Sequence, residues 1–206
     1  MTLALGVLAS GRGSNLQAIL DACARPGFPA RVAVVVSDRE RAPALERARA
    51  AGVEALWLNP KDFADREAYD TALVSELQAR GVGLVCQAGW MRILSRVYVE
   101  AFRGRAMNIH PALLPAFPGL HPHRQALDHG VKISGATVHF VDEGVDTGPI
   151  IVQAAVPVEP GDTEDTLEAR ILSVEHRLYP DAIRLFAEGR LRIVGRKVVI
   201  NPEGRG

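Results

Sequence analysis

The sequence has no surplus of either charge: 24 lysines and arginines stand against 24 aspartates and glutamates, with no basic block along the chain. That balance argues against nucleic acid or an anionic membrane as partner and leaves room only for a local cationic pocket. Cysteine is nearly absent. Cys23 and Cys86 lie far apart and form no CxxC pattern, so neither a disulfide framework nor a structural zinc site is expected, and buried thiols in a reducing compartment are. Long apolar runs are missing as well. Met1 to Ala9 is apolar, but it has no basic leader and is too short to span a bilayer. It reads as a first strand, and the protein as cytoplasmic. Repeats and low-complexity linkers are absent, and 206 residues allow one domain with a substantial core.

What is present is an alternation of strands and helices. Leu3–Ala9 reads as a buried strand, followed by the loop Ser10-Gly11-Arg12-Gly13-Ser14-Asn15 and a helix from about Leu16 to Ala24. The β-branched run in Arg31–Val36 predicts a second strand, and Pro43–Ala51 a helix with proline near its first turn. Strand Glu54–Leu58, helix Arg66–Arg80 and strand Gly83–Gln87 follow. This order implies βαβ units and a Rossmann-like α/β fold, a mostly parallel sheet flanked by helices, with ligands at the carboxyl ends of the strands. The glycine loop, Gln87–Leu94 and Asn108–His110 all fall at such ends, which predicts one shared cleft. In the C-terminal half, Ile133–Val141 and Ile150–Val156 read as antiparallel strands. A long helix carries Leu167, Ile171, Val174 and Leu178 at helical spacing, and Pro180 should kink or interrupt it. Leu191–Val194 and Lys197–Ile200 form a closing hairpin.

The glycine loop can present backbone N–H groups and a helix N-terminus to an anion, with Ser14 or Asn15 as cap. A dinucleotide fingerprint would need a third glycine where Leu16 stands. Asp38 at the end of the second strand is therefore a weak candidate for a ribose-binding acid, and a monophosphate is the better-supported ligand. Five of the six histidines lie between positions 110 and 139. His121-Pro-His123 has no carboxylate at a ligand spacing, so loop hydrogen bonding and substrate contact are favoured over a metal. His139, in a strand pattern, reads as structural.

Asn108 and His110 stand two apart at the end of an apolar segment, so on a strand both point the same way. A proline-rich loop follows and leaves them at its mouth. Amide and imidazole, with Asp146 downstream, are the groups needed to stabilise an oxyanion and move a proton. Taken alone, Asp146 in Glu143-Gly144-Val145-Asp146-Thr147-Gly148-Pro149 would be an Asx turn.

Asn108-x-His110-Pro-x-Leu-Leu-Pro115, then Gly119, then Asp146-x-Gly148-Pro149 resemble the folate-dependent formyltransferases. Ser10-Gly-x-Gly-Ser-Asn-Leu-Gln17, Met91-Arg92-Ile93-Leu94 and Pro118-Gly-Leu-His-x-His-Arg-Gln-Ala126 resemble the branch that formylates 5-phosphoribosylglycinamide in purine synthesis. The resemblance covers nearly the whole chain. It implies one formyltransferase domain over residues 1–206, with a phosphate-binding part to about residue 100 and a catalytic and folate-binding part beyond. Asn108, His110 and Asp146 would be the catalytic trio. Gly13, Ser14 and Asn15 would hold the ribonucleotide phosphate, and Glu175 its glycinamide or ribose part. Arg66, Met91, Arg92, Ile93, Leu94 and Asn108, with the loop near Asp142–Asp146, would line the site of 10-formyltetrahydrofolate.

No metal is implied, the partners are small molecules, and the protein is expected as a monomer or homodimer. The implied chemistry is attack of the acceptor amine on the formyl carbon, with Asn108 and a cationic His110, held so by Asp146, stabilising the oxyanion. Ala116, where lysine is common, Asp38, where asparagine is frequent, and Thr137, where serine is frequent, depart from the pattern without touching the trio. A formyltetrahydrofolate hydrolase would carry an added N-terminal domain, and a methionyl-tRNA formyltransferase a C-terminal one with a basic surface. Neither is expected here. A non-catalytic nucleotide-binding module would have no need of the trio.

Overall fold

The computed structural model describes residues 2–202; Met1, part of the apolar stretch discussed above, lies outside the described residues. The chain divides into two compact units, Met1–Met107 and Asn108–Gly206.

In the first unit, strands β1 (Leu3–Leu8), β2 (Ala30–Ser37), β3 (Glu54–Trp57) and β4 (Leu84–Gln87) lie in the order β3-β2-β1-β4. All of these pairings are parallel. Helices α1 (Ser14–Cys23), α2 (Pro43–Ala50), α3 (Arg66–Ala79) and α4 (Arg96–Ala101) connect them, with a 3-10 turn at Pro60–Asp62. Leu5, Val7 and Leu8 of β1 and Val34, Val35 and Val36 of β2 are wholly or almost wholly buried, as expected where a parallel sheet is covered on both faces. The Asp65 side chain caps α3 by accepting from Ala68 N at 2.8 Å, which starts that helix at Arg66. α4 is too short for an apolar period to reveal it in the sequence.

Strand β5 (Ala106–His110) straddles the boundary of the units. The second unit continues with α5 (Pro122–Asp128), β6 (Ile133–Phe140), β7 (Ile150–Pro157), α6 (Glu164–Ala187), β8 (Leu191–Val194) and β9 (Lys197–Ile200). β6 and β7 are antiparallel, β9 runs parallel to β7, and β8 closes an antiparallel hairpin with β9. Ala126, Ala136, Val156, Leu167 and Ile171 form its buried core, with Val174 and Leu178 packed against it. α6 begins at a reciprocal capping box, in which Thr163 and Thr166 each accept from the other's backbone N–H.

Of the kink or interruption expected at Pro180, the interruption does not occur. The helix loses one backbone bond there. It nevertheless runs on to Ala187 because Ile171, Glu175, Tyr179, Ala182 and Ile183, on both sides of the proline, are buried along one face.

Candidate functional site

The residues expected to hold a phosphate, Gly13, Ser14 and Asn15, lie in the first unit. Gly13 is the N-cap of α1 and has a left-handed backbone, φ 72°. A Cβ at that position would sit 2.9 Å from the Ala44 backbone, so only glycine fits both the turn and the approach of α2. Ser14 and Asn15 are helical, and no side chain caps the helix. This corrects the expectation that one of them would cap and that the helix begins at Leu16: the cap position is taken by Gly13, and the helix starts two residues earlier. α2 holds the loop in place, through Arg47 Nε donating to Arg12 O at 2.9 Å and Ala44 N to Gly11 O at 3.2 Å. The structure also ties this loop to the Met91–Leu94 segment. Ser10 N donates to Gly89 O at 3.0 Å, and Met91 N donates to Ser10 Oγ at 3.1 Å. Met91 and Ile93 are largely exposed, and Arg66 is exposed at the start of α3.

Asn108, His110 and Asp146 all belong to the second unit, and Asp146 is their junction. Its Oδ1 accepts from Asn108 Nδ2 at 3.3 Å, and its Oδ2 lies 3.3 Å from His110 Nδ1. Oδ2 also accepts from Gly119 N at 2.8 Å. β5 supplies the amide and imidazole to one side, as its period of two requires, and the β6–β7 connection supplies the carboxylate. Asp146 itself sits at φ 55°, a left-handed conformation that Asp tolerates better than most residues. Glu175 is buried on α6.

The loop after β5 is built into the core. Thr137 Oγ1 on β6 donates to Ala112 O at 2.7 Å and accepts from Leu114 N at 3.0 Å and Gln153 Nε2 at 2.9 Å. Gln153 on β7 also donates to Leu114 O at 2.9 Å. Thr137 thus satisfies a hydroxyl's full hydrogen-bonding capacity. Further on, Phe117 O lies 2.8 Å from His110 Nε2, and Gln125 Nε2 donates to Leu120 O at 2.9 Å.

Burial raises the pKa of Asp146, but the contact with His139, the Gly119 N–H bond and the nearby imidazoles outweigh it and bring the carboxyl below its ordinary value. His110 responds the other way. Burial dominates and lowers its pKa; the Asp146 charge and the Phe117 carbonyl offset this only in part, and His139 adds to the lowering. These shifts favour a carboxylate beside a neutral imidazole, where the resemblance implied a His110 held cationic. Both ring nitrogens nevertheless face oxygen acceptors, so a proton arriving at His110 finds partners already in place.

His139 belongs to this site, although its strand pattern suggested a structural role. Its Nε2 lies 3.2 Å from Asn108 Nδ2 and 3.5 Å from Asp146 Oδ1, and its Nδ1 lies 2.9 Å from Phe140 O. The available signal was its position on a strand ending beside the Asp146 loop. His123 has a buried Nε2 without a hydrogen-bond partner, and its pKa is lowered, chiefly by burial. No helix among the described residues is long and apolar enough to cross a membrane.

Comparison with known proteins matches the chain to a family. The model described as formyl transferase matches residues 4–183. Phosphoribosylglycinamide formyltransferase of Escherichia coli (strain K12) is 49% identical over 187 residues, covering 91% of this chain and 88% of that protein. The trifunctional purine biosynthetic protein adenosine-3 of Drosophila pseudoobscura pseudoobscura is 52% identical over 192 residues, covering 92% of this chain, which spans 14% of that protein's length. The crystal structure of glycinamide ribonucleotide transformylase 1 from Symbiobacterium toebii aligns with a TM-score of 0.96 at 60% identity, covering 97% of this chain and 94% of that one. With the family's model matching most of its length, the chain belongs to the formyl transferase family.

Proposed function

We propose that this protein transfers the formyl group of 10-formyltetrahydrofolate to the amine of 5-phosphoribosylglycinamide in purine biosynthesis. The observation that carries the reading is Asp146 in contact with both Asn108 and His110, in a chain similar to phosphoribosylglycinamide formyltransferases over nearly all of its length. Gly13, Ser14 and Asn15 would bind the acceptor's phosphate at the N-terminus of α1, and Glu175 its glycinamide or ribose part. Arg66 and Met91–Leu94 would contact the donor. The protein would act in the cytoplasm as a monomer or homodimer.

The acceptor amine attacks the formyl carbon, and the carbonyl π electrons move onto oxygen. Asn108 donates one amide N–H to that oxyanion, releasing either Asp146 or His139 from its present contact. Negative charge growing near His110 favours its taking up, at Nδ1, the proton that the attacking amine releases, and Asp146 Oδ2 accepts the new Nδ1–H across the existing 3.3 Å. The cation thus forms during the reaction and is not stored beforehand. Asp146 assists removal of the amine proton. The oxyanion then collapses, the bond from carbon to N10 breaks, N10 takes up the proton that His110 held, and the imidazole is neutral again. No covalent enzyme intermediate is needed.

Absorbance change on conversion of 10-formyltetrahydrofolate to tetrahydrofolate tests the reading. It should occur with 5-phosphoribosylglycinamide and stop without it. Deformylation by water alone would select a hydrolase, and no reaction with either acceptor would refute formyl transfer.

A further inference from the structure

The stretch from Met91 to Ser95, between β4 and α4, has no regular secondary structure, yet its backbone is tied down at both ends and one side chain is held in its middle. At its start Met91 N donates to Ser10 Oγ at 3.1 Å. In its middle the Arg92 guanidinium lies over the Tyr69 ring, 4.6 Å from the centroid. At its end Ser95 N donates to Asp70 Oδ2 at 2.5 Å. Tyr69 and Asp70 are consecutive residues of α3, and with Ser10 they are at most 1% exposed. Between the ties, Met91 and Ile93 are 62% and 64% exposed.

A segment that exposes two large apolar side chains on a fixed, non-repetitive backbone is a preformed platform for an apolar ligand face. Burying a carboxylate is unfavourable unless it is hydrogen-bonded. Asp70 nevertheless spends one oxygen on a loop amide, in a charge-assisted bond stronger than a neutral acceptor would make. The arrangement favours one shape of the segment over the many that a free loop would sample.

We propose that Asp70, together with Ser10 and Tyr69, positions the formyl donor: these residues hold Met91–Ser95 so that Met91 and Ile93 meet a flat pteridine-class ring. The inference rests on the reading above that Met91–Leu94 contact the donor. Asp70 acts through the segment and touches no substrate. Its loss leaves the segment to be ordered at the moment of binding, and that cost falls on donor affinity rather than on acceptor affinity.

The test is calorimetric titration of the full chain with tetrahydrofolate, for wild type, Asp70→Ala, Asp70→Asn and Ser10→Ala, alongside steady-state KM for each substrate. Asp70→Ala and Ser10→Ala should weaken tetrahydrofolate binding about tenfold and raise the donor KM in parallel; in Asp70→Ala, which lies outside the glycine loop, the ribonucleotide KM should stay within about twofold of wild type. Asp70→Asn keeps an acceptor for Ser95 N and should recover most of the loss. Ser10→Ala deletes a hydroxyl and no buried charge, so it decides the matter if Asp70→Ala does not fold. Unchanged tetrahydrofolate binding in folded Ser10→Ala, or equal losses for both substrates in folded Asp70→Ala or Asp70→Asn, overturns the positioning role alone. A wild-type protein that binds no tetrahydrofolate overturns the proposed function, and this role with it.

Discussion

Asp146→Asn is the most demanding test of the candidate site, because it keeps the side chain's shape and changes only its charge and hydrogen-bonding pattern. Oδ2 accepts from Gly119 N at 2.8 Å, and Oδ1 accepts from Asn108 Nδ2 at 3.3 Å. An amide must turn its NH2 toward one of these donors, so either the Gly119 loop or the Asn108 side chain meets donor against donor. The larger effect is on the reacting state. Opposite charges 3.3 Å apart attract by about 5 kcal/mol at an effective dielectric of ~20. Desolvation of both groups reduces the useful part to about 3 kcal/mol, a loss of roughly 100-fold in rate. The assay is single-turnover absorbance with both substrates saturating, so that chemistry rather than product release is observed. Far-UV circular dichroism and Tm confirm that the variant is folded. A folded Asp146→Asn within about fivefold of the wild-type single-turnover rate would refute the assigned role of the carboxylate.

Asn108→Ala should slow the same step roughly 100- to 1,000-fold, and a change of KM without a change of rate would remove it from the chemistry. Gly148→Ala should lower stability by about 2 kcal/mol or more, since its Cβ would lie 1.8 Å from Phe140 O; an unchanged Tm would contradict that packing. Acid should destabilise the protein. Burial lowers the pKa of His110, His123 and His176 below the ordinary 6.5, so the unfolded chain binds more protons than the folded one below that value. Their contribution is complete above pH 6.5 and diminishes as pH falls toward the folded pKa values. The lowered Asp146 carboxyl adds a further loss at more acidic pH, as pH falls through its folded pKa. Tm measured from pH 8 downward should decline below about 6.5, less steeply in His123→Gln, and a flat profile would refute the account.

Much of the fold is legible because its elements repeat their signals. Val34, Val35 and Val36 mark a strand covered on both faces, and Leu167, Ile171, Val174 and Leu178 mark one stripe of a long helix. α5 spans only 7 residues, too few for a stripe to stand out. At the site, a period of two places Asn108 and His110 together, whereas no local spacing brings Asp146 to them. That contact depends on a left-handed residue in the β6–β7 connection and on an N–H from Gly119. The charge state of His110 is not legible at all, because it is a balance between burial and a carboxylate distant in sequence. His139 looks like an ordinary strand residue until its strand is set beside Asn108.

The Thr137 hydroxyl gives the loop after β5 a property that loops rarely have. Leu114 N–H ends on that buried oxygen, so its proton exchanges with solvent only when β6 and the loop separate. Opening there is consequently a sub-global event, drawn from the stability of the β6–β7 pair rather than from the fraying expected of a surface turn. The Phe117 carbonyl that faces His110 lies three residues further along the same chain. Hydrogen exchange at the Leu114 amide should therefore report the opening of the segment that leads to the carbonyl beside the imidazole.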